Sequence, residues 1–394
     1  MSEMPLARDE AFWGEFARGF DPDDRLINLE NGYFGRMSRS VLARYQQAIE
    51  QVNRSNSLYV RERFDAEEHQ QIRDGLARSL GVSARCIALT RSASESLHSL
   101  IRNYNRLRPG DQVLFSDLEY DSVQSGLQWL VEQRGIELIR VVHAHPASHD
   151  SLLQAYIQLF ERHPRLKLIV LTHVSHRTGL VLPVQAIACE ATARGIDVLL
   201  DGAHSLGQID FKLAELGVPF AAFNLHKWIG APLSLGFIYV AEARLSRIDP
   251  DMADTRYPSD DIRSRAPYGT PNIPALMTLP LALEEHAALG GAAVKGARLR
   301  YLRDLWVNAL RADRGIEVLT PDDPRLYCGI TALRFSRQSY QQAMVEQLRD
   351  RFGIFTVLRQ TVACGECIRI TPALTTRPEQ IAHLIAALRT LAAT

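Results

Sequence analysis

Lysine is nearly missing from this chain: arginine carries almost all of its positive charge, and only Lys167, Lys212, Lys227 and Lys295 break that pattern. Cysteine is scarce too, five residues in 394. An odd number with no dense framework excludes a disulfide-stapled secreted scaffold and suits a reducing cytoplasm. Charge of neither sign dominates, the formal net charge being zero, so no global basic field would recruit nucleic acid or an anionic membrane surface. Long apolar runs are lacking as well. LKLIVL and IDVLL are strand-length and far too short to span a bilayer. The start, MSEMPLARDEAFWGEF, has no basic segment leading into an apolar run, so it does not read as a secretory signal. Neither a Walker-type loop nor G-x-G-x-x-G occurs, which argues against nucleotide or dinucleotide binding. What remains is the composition of a soluble globular protein, long enough for a large core and two domains.

What is present is alternation. Strand-like runs at 86–90, 112–116, 137–142, 167–173, 197–201 and 236–241 alternate with helix-like stretches at 93–107, 122–133, 150–162 and 184–194. Strand, helix, strand at this spacing predicts a mostly parallel α/β sheet, and continuous apolar runs fit strands covered on both faces. Past YGTPNIPALMTL the texture changes. A helical tract is predicted at 277–312, then short strands in GIEVL, ITALRF, IFTVL and CIRIT, then a helix near 378–392. That reads as a smaller α+β domain, against which the first forty or so residues are expected to pack.

Ligands of such sheets bind beyond the carboxyl ends of the strands, so those positions carry the functional reading. After CIALT, the small residues Ser92, Ala93 and Ser94 open a helix, either as a plain cap or as a phosphate-sized anion site. After QVLFS comes Tyr120, and after KLIVLTH comes VSHRTG. Asp201 ends DVLLD, as a structural cap or as a functional carboxylate, and Gly202 and Ala203 let something approach its backbone. FNLHKWIGAP then places Lys227 at the edge of an apolar run. A cation there is costly unless used, and arginine cannot readily lose a proton to act as an amine nucleophile. A phosphate pocket, an aromatic or imidazole plate, a buried carboxylate and an amine on one sheet edge suit pyridoxal phosphate: the amine forms a Schiff base and the carboxylate keeps the pyridine nitrogen protonated.

The stretch DVLLDGAHSLGQIDFKLAELGVPFAAFNLHKWIGAPLSLGFIYV, with HVSHRTGLVLPV before it and GTPNIPAL after it, resembles the class V aminotransferase family of fold-type I pyridoxal-phosphate enzymes, and most of all its isopenicillin-N-epimerase-like branch. NLENGYFG and IRIT fit the same pattern, so the resemblance covers essentially the whole chain. It implies a large cofactor-binding domain, residues 46–275, with a mostly parallel seven-stranded sheet, and a small domain from residues 1–45 and 276–394. It also implies a homodimer with a shared active site and an amino acid or amine as substrate. Carried over, Lys227 would hold the cofactor and move the α-proton, Asp201 would pair with the pyridinium, and His204 would contact the phenolic oxygen region. Tyr120 would stack on the ring, while Ser92, Ala93, Ser94, Asn224 and His226 would surround the phosphate. Thr270 would reach the neighbouring subunit's phosphate, Arg369 would hold the substrate carboxylate in a bidentate pair, and Asn31 and Tyr33 would line the substrate side. There are departures. His176 stands where relatives often have a small polar residue, as a second acid/base or a replacement hydrogen-bond donor; Ser234 replaces a common glycine, and Asn224 a small hydroxyl residue.

Two other motifs compete. ACGEC sets Cys364 and Cys367 in C-x-x-C spacing near Arg369, open to structural, zinc, redox or sulfur-accepting readings. VVHAHPASH gathers His143, His145 and His149 without an acidic partner at regular spacing, so a polar loop is expected rather than a metal site. The expected activity is aminotransferase or epimerase chemistry at an α-carbon, in the cytoplasm. A C–S lyase or cysteine desulfurase, a cyclising enzyme, and a non-catalytic binding protein are the alternatives.

Overall fold

The apolar runs settle into one sheet. After a short strand β1 (Ile27–Asn28) come β2 (Ile87–Thr90), β3 (Gln112–Ser116), β4 (Glu137–Val141), β5 (Leu166–Thr172), β6 (Asp197–Asp201), β7 (Phe220–Asn224) and β8 (Gly236–Val240). In the computed structural model, which describes residues 3–23, 25–338, 340–360 and 363–393, the last seven of these form a sheet in the order β2-β8-β7-β6-β5-β3-β4. Every neighbouring pair is parallel except those of β8, which runs antiparallel to both β2 and β7. The mostly parallel sheet expected from the alternation is therefore present, with one strand more than the six runs suggest. That strand is β7, FAAFN, buried along its whole length; its alanines carry little of the β-branched signal that marks a strand.

Side-chain alternation divides the sheet's apolar residues between two cores. Val198, Leu200, Ala221, Phe223, Phe237 and Tyr239 point into one, and Leu199, Phe220, Ala222, Ile238 and Val240 into the other. Burying each large side chain contributes about 1.5–3 kcal/mol, so a one-residue slip in any of these strands would exchange both faces at once. The helices Ala93–Asn103, Asp121–Arg134, His149–Arg162 and Val184–Ala193 cover the faces. The first ends earlier than its periodicity predicts because Tyr104 turns extended and bridges to Ile248. β4 closes one end of the sheet with Glu137 and Arg140 exposed.

The second module holds β9 (Ile316–Val318), β10 (Thr331–Phe335), β11 (Ile354–Phe355), β12 (Val357–Arg359) and β13 (Cys367–Ile370). Four of them make an antiparallel sheet in the order β12-β13-β10-β9, while β11 pairs in parallel with β1. The tract predicted as one helix over 277–312 is two, Ile273–Ala288 and Gly291–Leu310. They break at Gly290 and Gly291, whose φ angles of 100° and 68° lie where glycine is favoured. Leu302, Trp306 and Leu310, one helical turn apart, meet Leu348, Ile368, Leu384 and Leu388 in a core that also takes in Leu29. Among the described residues no helix is long and apolar enough to cross a membrane.

Gly236 on β8 lies between Thr90 and Asn224 in register. A Cβ there would stand 2.7 Å from both the Phe223 carbonyl oxygen and the Ser92 carbonyl carbon. Backbone cannot rotate away as a side chain can, so Gly236→Ala is expected to cost about 1–3 kcal/mol in urea unfolding. Gly14, inside the helix Glu10–Ala17 with open space around it, is the control: Gly14→Ala should gain up to about 1 kcal/mol.

Candidate active site

Because β2 opposes β8, as β7 does, it points the same way as β3, β5, β6 and β7. Their carboxyl ends share one edge of the sheet. The loops leaving that edge bring Ser92, Ala93, Ser94, Tyr120, His176, Asp201, His204, Asn224, His226 and Lys227 around a cavity of about 370 Å³. Tyr33 and Arg369 join them from the chain ends, as do Gly32 and Arg359.

Lys227 Nζ donates to the Gly32 carbonyl at 2.8 Å and lies 3.1 Å from His204 Nε2. Burial and the Arg369 charge bring this amine down to about pKa 7, against an opposing pull from Asp201. As an ammonium it donates to Nε2, which leaves the His204 proton on Nδ1, a buried atom without a hydrogen-bond partner. Burial holds His204 itself well below the usual histidine range. Asp201, buried at the end of β6, accepts the Ala203 amide on Oδ1 at 2.9 Å. No other protein donor reaches its carboxylate among the described residues, and burial raises its pKa.

Under Asp201 lies a residue that the sequence reading passed over. Glu119, fully buried, accepts the Thr172 amide at 3.1 Å and the Ser116 hydroxyl at 3.3 Å on Oε1. Its Oε2 is buried without a partner. Burial first, and then the Asp201 charge, push Glu119 well above the carboxylate range. Two interacting buried carboxyl groups do not both ionise easily, and Glu119, with burial and the Asp201 charge both against its anion, is the one pushed toward the protonated form. In sequence Glu119 is one more acid in a polar loop, and only a buried carboxylate beside a second one betrays it.

At the helix start, Asn224 Oδ1 accepts the Ala93 amide at 2.8 Å and the Ser92 hydroxyl accepts that of Glu95 at 3.1 Å. The Ser94 amide between them has no protein partner among the described residues, and the Asn224 side-chain NH₂ is left to donate. His226 Nδ1 bonds the Leu235 carbonyl at 2.9 Å. Ser234, where the resemblance leads one to expect glycine, has a left-handed backbone at φ 66°, the region that favours glycine. Tyr120 meets His176 edge to face, ring centroids 5.1 Å apart.

The N-terminal NGYFG segment straps across this edge. A Cβ on Gly35 would stand 1.9 Å from the Lys227 carbonyl oxygen, and one on Gly32 2.9 Å from Arg369 Nη2. Backbone leaves Gly35 no room for a side chain, whereas at Gly32 the Arg369 guanidinium would have to shift. Arg369, on β13, is paired with Glu30 of the strap and donates to the His176 carbonyl at 2.6 Å. Neither Glu30 nor Arg359 figures in the sequence reading.

Two expected residues stand apart from this wall. Asn31 spends its amide on the Asn28 and Thr371 carbonyls at 3.0 and 2.9 Å, fastening the strap to the end of β13. Thr270 is exposed and lines an adjoining cavity with Arg91 and Ser234. The cysteines also lie away from it. Cys367 is buried against the Arg177 carbonyl and pushed up to about pKa 12, Cys364 is half-buried, and neither lines the Lys227 cavity. The histidines of VVHAHPASH diverge. His145 bonds Glu317 at 2.8 Å, His149 approaches Asp150 at 3.4 Å, and His143 is half-buried beside Tyr156.

Comparison with known proteins adds a family. The family model described as aminotransferase class-V matches residues 36–377. Isopenicillin N epimerase of Streptomyces clavuligerus is 28% identical over 97% of this chain and 98% of its own. A probable cysteine desulfurase of Vibrio cholerae is 27% identical over 63% of each chain. Among solved structures, the cysteine desulfurase CsdA of Escherichia coli superposes with a TM-score of 0.80 at 20% identity, covering 96% of this chain and 98% of that one. A mutant of C-DES with glycine covalently linked to its PLP cofactor gives 0.77 at 21% identity, covering 93% and 99%. At these identities the structures speak to the fold alone.

Two predictions follow from the electrostatics. Only the free amine reacts with acetic anhydride, so labelling of Lys227 should rise with pH and reach half its limit near pH 7. Lys212, raised above the ordinary lysine value by its bond to Glu215, should label only at far higher pH, as peptide mapping would resolve. For Glu119, a raised carboxyl favours the protonated fold, so its contribution is present at low pH and lost as pH rises above the unfolded value near about 4.3. Glu119→Gln should therefore gain on wild type in urea unfolding as pH rises above about 4.3, by up to about 1.4 kcal/mol per unit. Glu119→Ala should be destabilised throughout.

Proposed function

This chain belongs to the aminotransferase class-V family, and from that premise we propose that it is a pyridoxal-phosphate enzyme that moves the α-proton of an amino acid, with Lys227 as base and acid. The observation that carries this is the Lys227 amine, poised in the cavity between the Gly32 carbonyl and His204 and brought close to neutrality.

The unmet groups of the wall support the cofactor. A buried Asp201 carboxylate with one backbone donor suits a ring N–H, and the unpartnered His204 Nδ1–H suits a ring oxygen. The Ser94 amide, the Asn224 NH₂ and the dipole of an eleven-residue helix suit a phosphate. Tyr120 and His176 supply a plate at the side of the ring. When bound, the cofactor supplies an electron sink for the charge left at the substrate's α-carbon.

The chain's own part is protonic. Lys227 Nζ, an amine for about half the molecules near pH 7, takes the α-proton and returns it. His204 Nε2 orients that amine, and the neutral Glu119 beneath Asp201 lets Asp201 remain an anion without a second negative charge beside it. A proton returned to the opposite face of the α-carbon would give epimerisation and one returned to the same face exchange alone, while the bound cofactor would supply the alternative acceptor that transamination needs. Desulfuration requires a thiol to receive sulfur, and no cysteine lines the cavity among the described residues. The exposure of Thr270 beside a cavity that shares Arg91 and Ser234 with the site supports a homodimer in which a second copy completes it.

The test is to load the protein with pyridoxal phosphate and incubate it with a panel of amino acids in heavy water. Deuterium at the α-carbon of recovered amino acid is expected, with the opposite enantiomer marking epimerisation and a 2-oxo acid marking transamination. Sulfide or an eliminated fragment without α-deuterium would count against the proposal. Lys227→Ala should lower exchange by about a hundredfold to ten-thousandfold.

A further inference from the structure

Lys295, on the helix Gly291–Leu310, is the most deeply buried of the chain's four lysines, at 6% exposure. Its ammonium donates to the carbonyl of Trp228, the residue after Lys227, at 2.9 Å. An ammonium has further N–H donors to place. Among the described residues the one ion-paired lysine is Lys212, so no carboxylate meets Lys295 directly. A buried cation without a counter-charge is costly. Burial brings this amine down to about pKa 8, with the charge of Glu285 opposing. Nothing in the chemistry at Lys227 uses it.

Lys295 lines a second cavity, of about 100 Å³, whose wall includes Trp228, Ile229 and Gly230 of the Lys227 loop and Gly35 of the strap. Most of the lining is apolar, from Phe16, Phe20, Val41, Ile229, Leu289 and Leu374. Against these stand Arg36, Glu285, His286 and Lys295. The Glu285 carboxylate accepts the Ser40 hydroxyl. His286 Nδ1 is buried without a partner, and burial, then the Lys295 charge, bring the ring down to about pKa 3, so it is neutral. Arg36 forms no side-chain hydrogen bond or ion pair among the described residues. Asp21 and Asp23, which feel its charge, are paired with Arg39 and Arg25. Arg36 and Lys295 against Glu285 leave the cavity one positive charge in excess.

We propose that this cavity is a second small-molecule site, one that takes an aliphatic monocarboxylate, with the carboxylate among Lys295, Arg36 and His286 and the chain on the apolar wall. One negative charge balances the excess. An apolar cavity of about 150 Å³ holds benzene, so this one suits a chain of about four or five carbons. An α-amino acid does not suit it, because its ammonium would bring a third cation beside Arg36 and Lys295, with only the Glu285 carboxylate, already bonded to Ser40, to receive it. A bound carboxylate favours the ammonium form of Lys295 and so secures its bond to the Trp228 carbonyl. Occupancy is thereby tied to the loop that carries Lys227. The inference is independent of the pyridoxal-phosphate reading, and its test does not read the cofactor.

The experiment treats the full-length protein, as isolated, with acetic anhydride near pH 8 and reads Lys295 and Lys227 separately by peptide mapping. Pentanoate should lower labelling of Lys295 by about fivefold or more, since the anion both fills the cavity and holds the amine protonated. Pentan-1-ol, which has the chain without the charge, and L-norvaline, which adds the ammonium, should each change it by less than about twofold. Equal protection by either compound overturns the proposal, as does protection by pentanoate confined to Lys227. Failure of Lys295 to label at any pH up to about 10 overturns it too, because acetic anhydride and pentanoate are alike in size. Arg36→Gln removes one of the two cations without breaking a hydrogen bond among the described residues, and it should cut the protection of Lys295 by about fivefold. Undiminished protection in that variant counts against the paired cations. As a second measurement, calorimetry should find one pentanoate per chain with Lys295 as its partner, and unchanged affinity in a folded Lys295→Met sinks the proposal.

Discussion

The hydrogen bond from Lys227 to the carbonyl of Gly32 joins the two ends of the architecture. One partner sits on the loop that leaves β7, the other on an N-terminal strap held to the end of β13. The strap lies close on both neighbours: a Cβ on Gly35 would meet the Lys227 backbone carbonyl, and one on Gly32 the Arg369 guanidinium. The Gly35 amide donates to the His226 carbonyl at 2.8 Å, so the strap is fastened on the lysine's own loop as well. Once the strap lies there, Glu30 falls on the arginines of the small sheet and Asn31 on Thr371. The site is therefore assembled from segments remote in sequence, with the large sheet supplying one side of the cavity and the strap and small sheet the other.

Desolvation tunes the groups on both sides. Taken out of water, Lys227 becomes a weaker base, His176 and His204 stay neutral, and the carboxyl groups of Asp201 and Glu119 are both raised. The two acids then differ in role. Asp201 has the lysine's charge to favour its ionised form, whereas Glu119 has another carboxylate against it.

Much of this was legible in the sequence because local signals repeat. The alternation at 86–241 gives a mostly parallel sheet, and reading along its strand ends brings Ser92, Tyr120, Asp201 and Lys227 together, as the cavity does. What escapes is of two kinds. β7 is too rich in alanine to announce itself, and the break at Gly290 and Gly291 sits inside a pattern whose periodicity continues on both sides. Glu30, Glu119 and Arg359 escape for a different reason. Each is an ordinary charged residue in its own stretch, and its meaning comes from a partner brought close by the fold; for Glu30 and Arg369 the separation is 339 residues. The resemblance to a family points to Arg369, and the fold pairs that arginine with Glu30.

At the far end of the large sheet, β4 leaves one row of backbone groups without a neighbouring strand. Such an edge can template growth of the sheet by another chain. Here the row is flanked by Glu137, which Arg165 pairs at 2.9 Å, and by Arg140, which lies 3.8 Å from Asp117. A strand from a second molecule would have to bury those charges to add itself, and β3, the mostly buried strand behind, is shielded as long as β4 stays docked. The charged edge therefore works as a guard against aggregation, and its neutralisation would be felt first in the yield of soluble protein on refolding, before any effect reached the chemistry at the other side of the sheet.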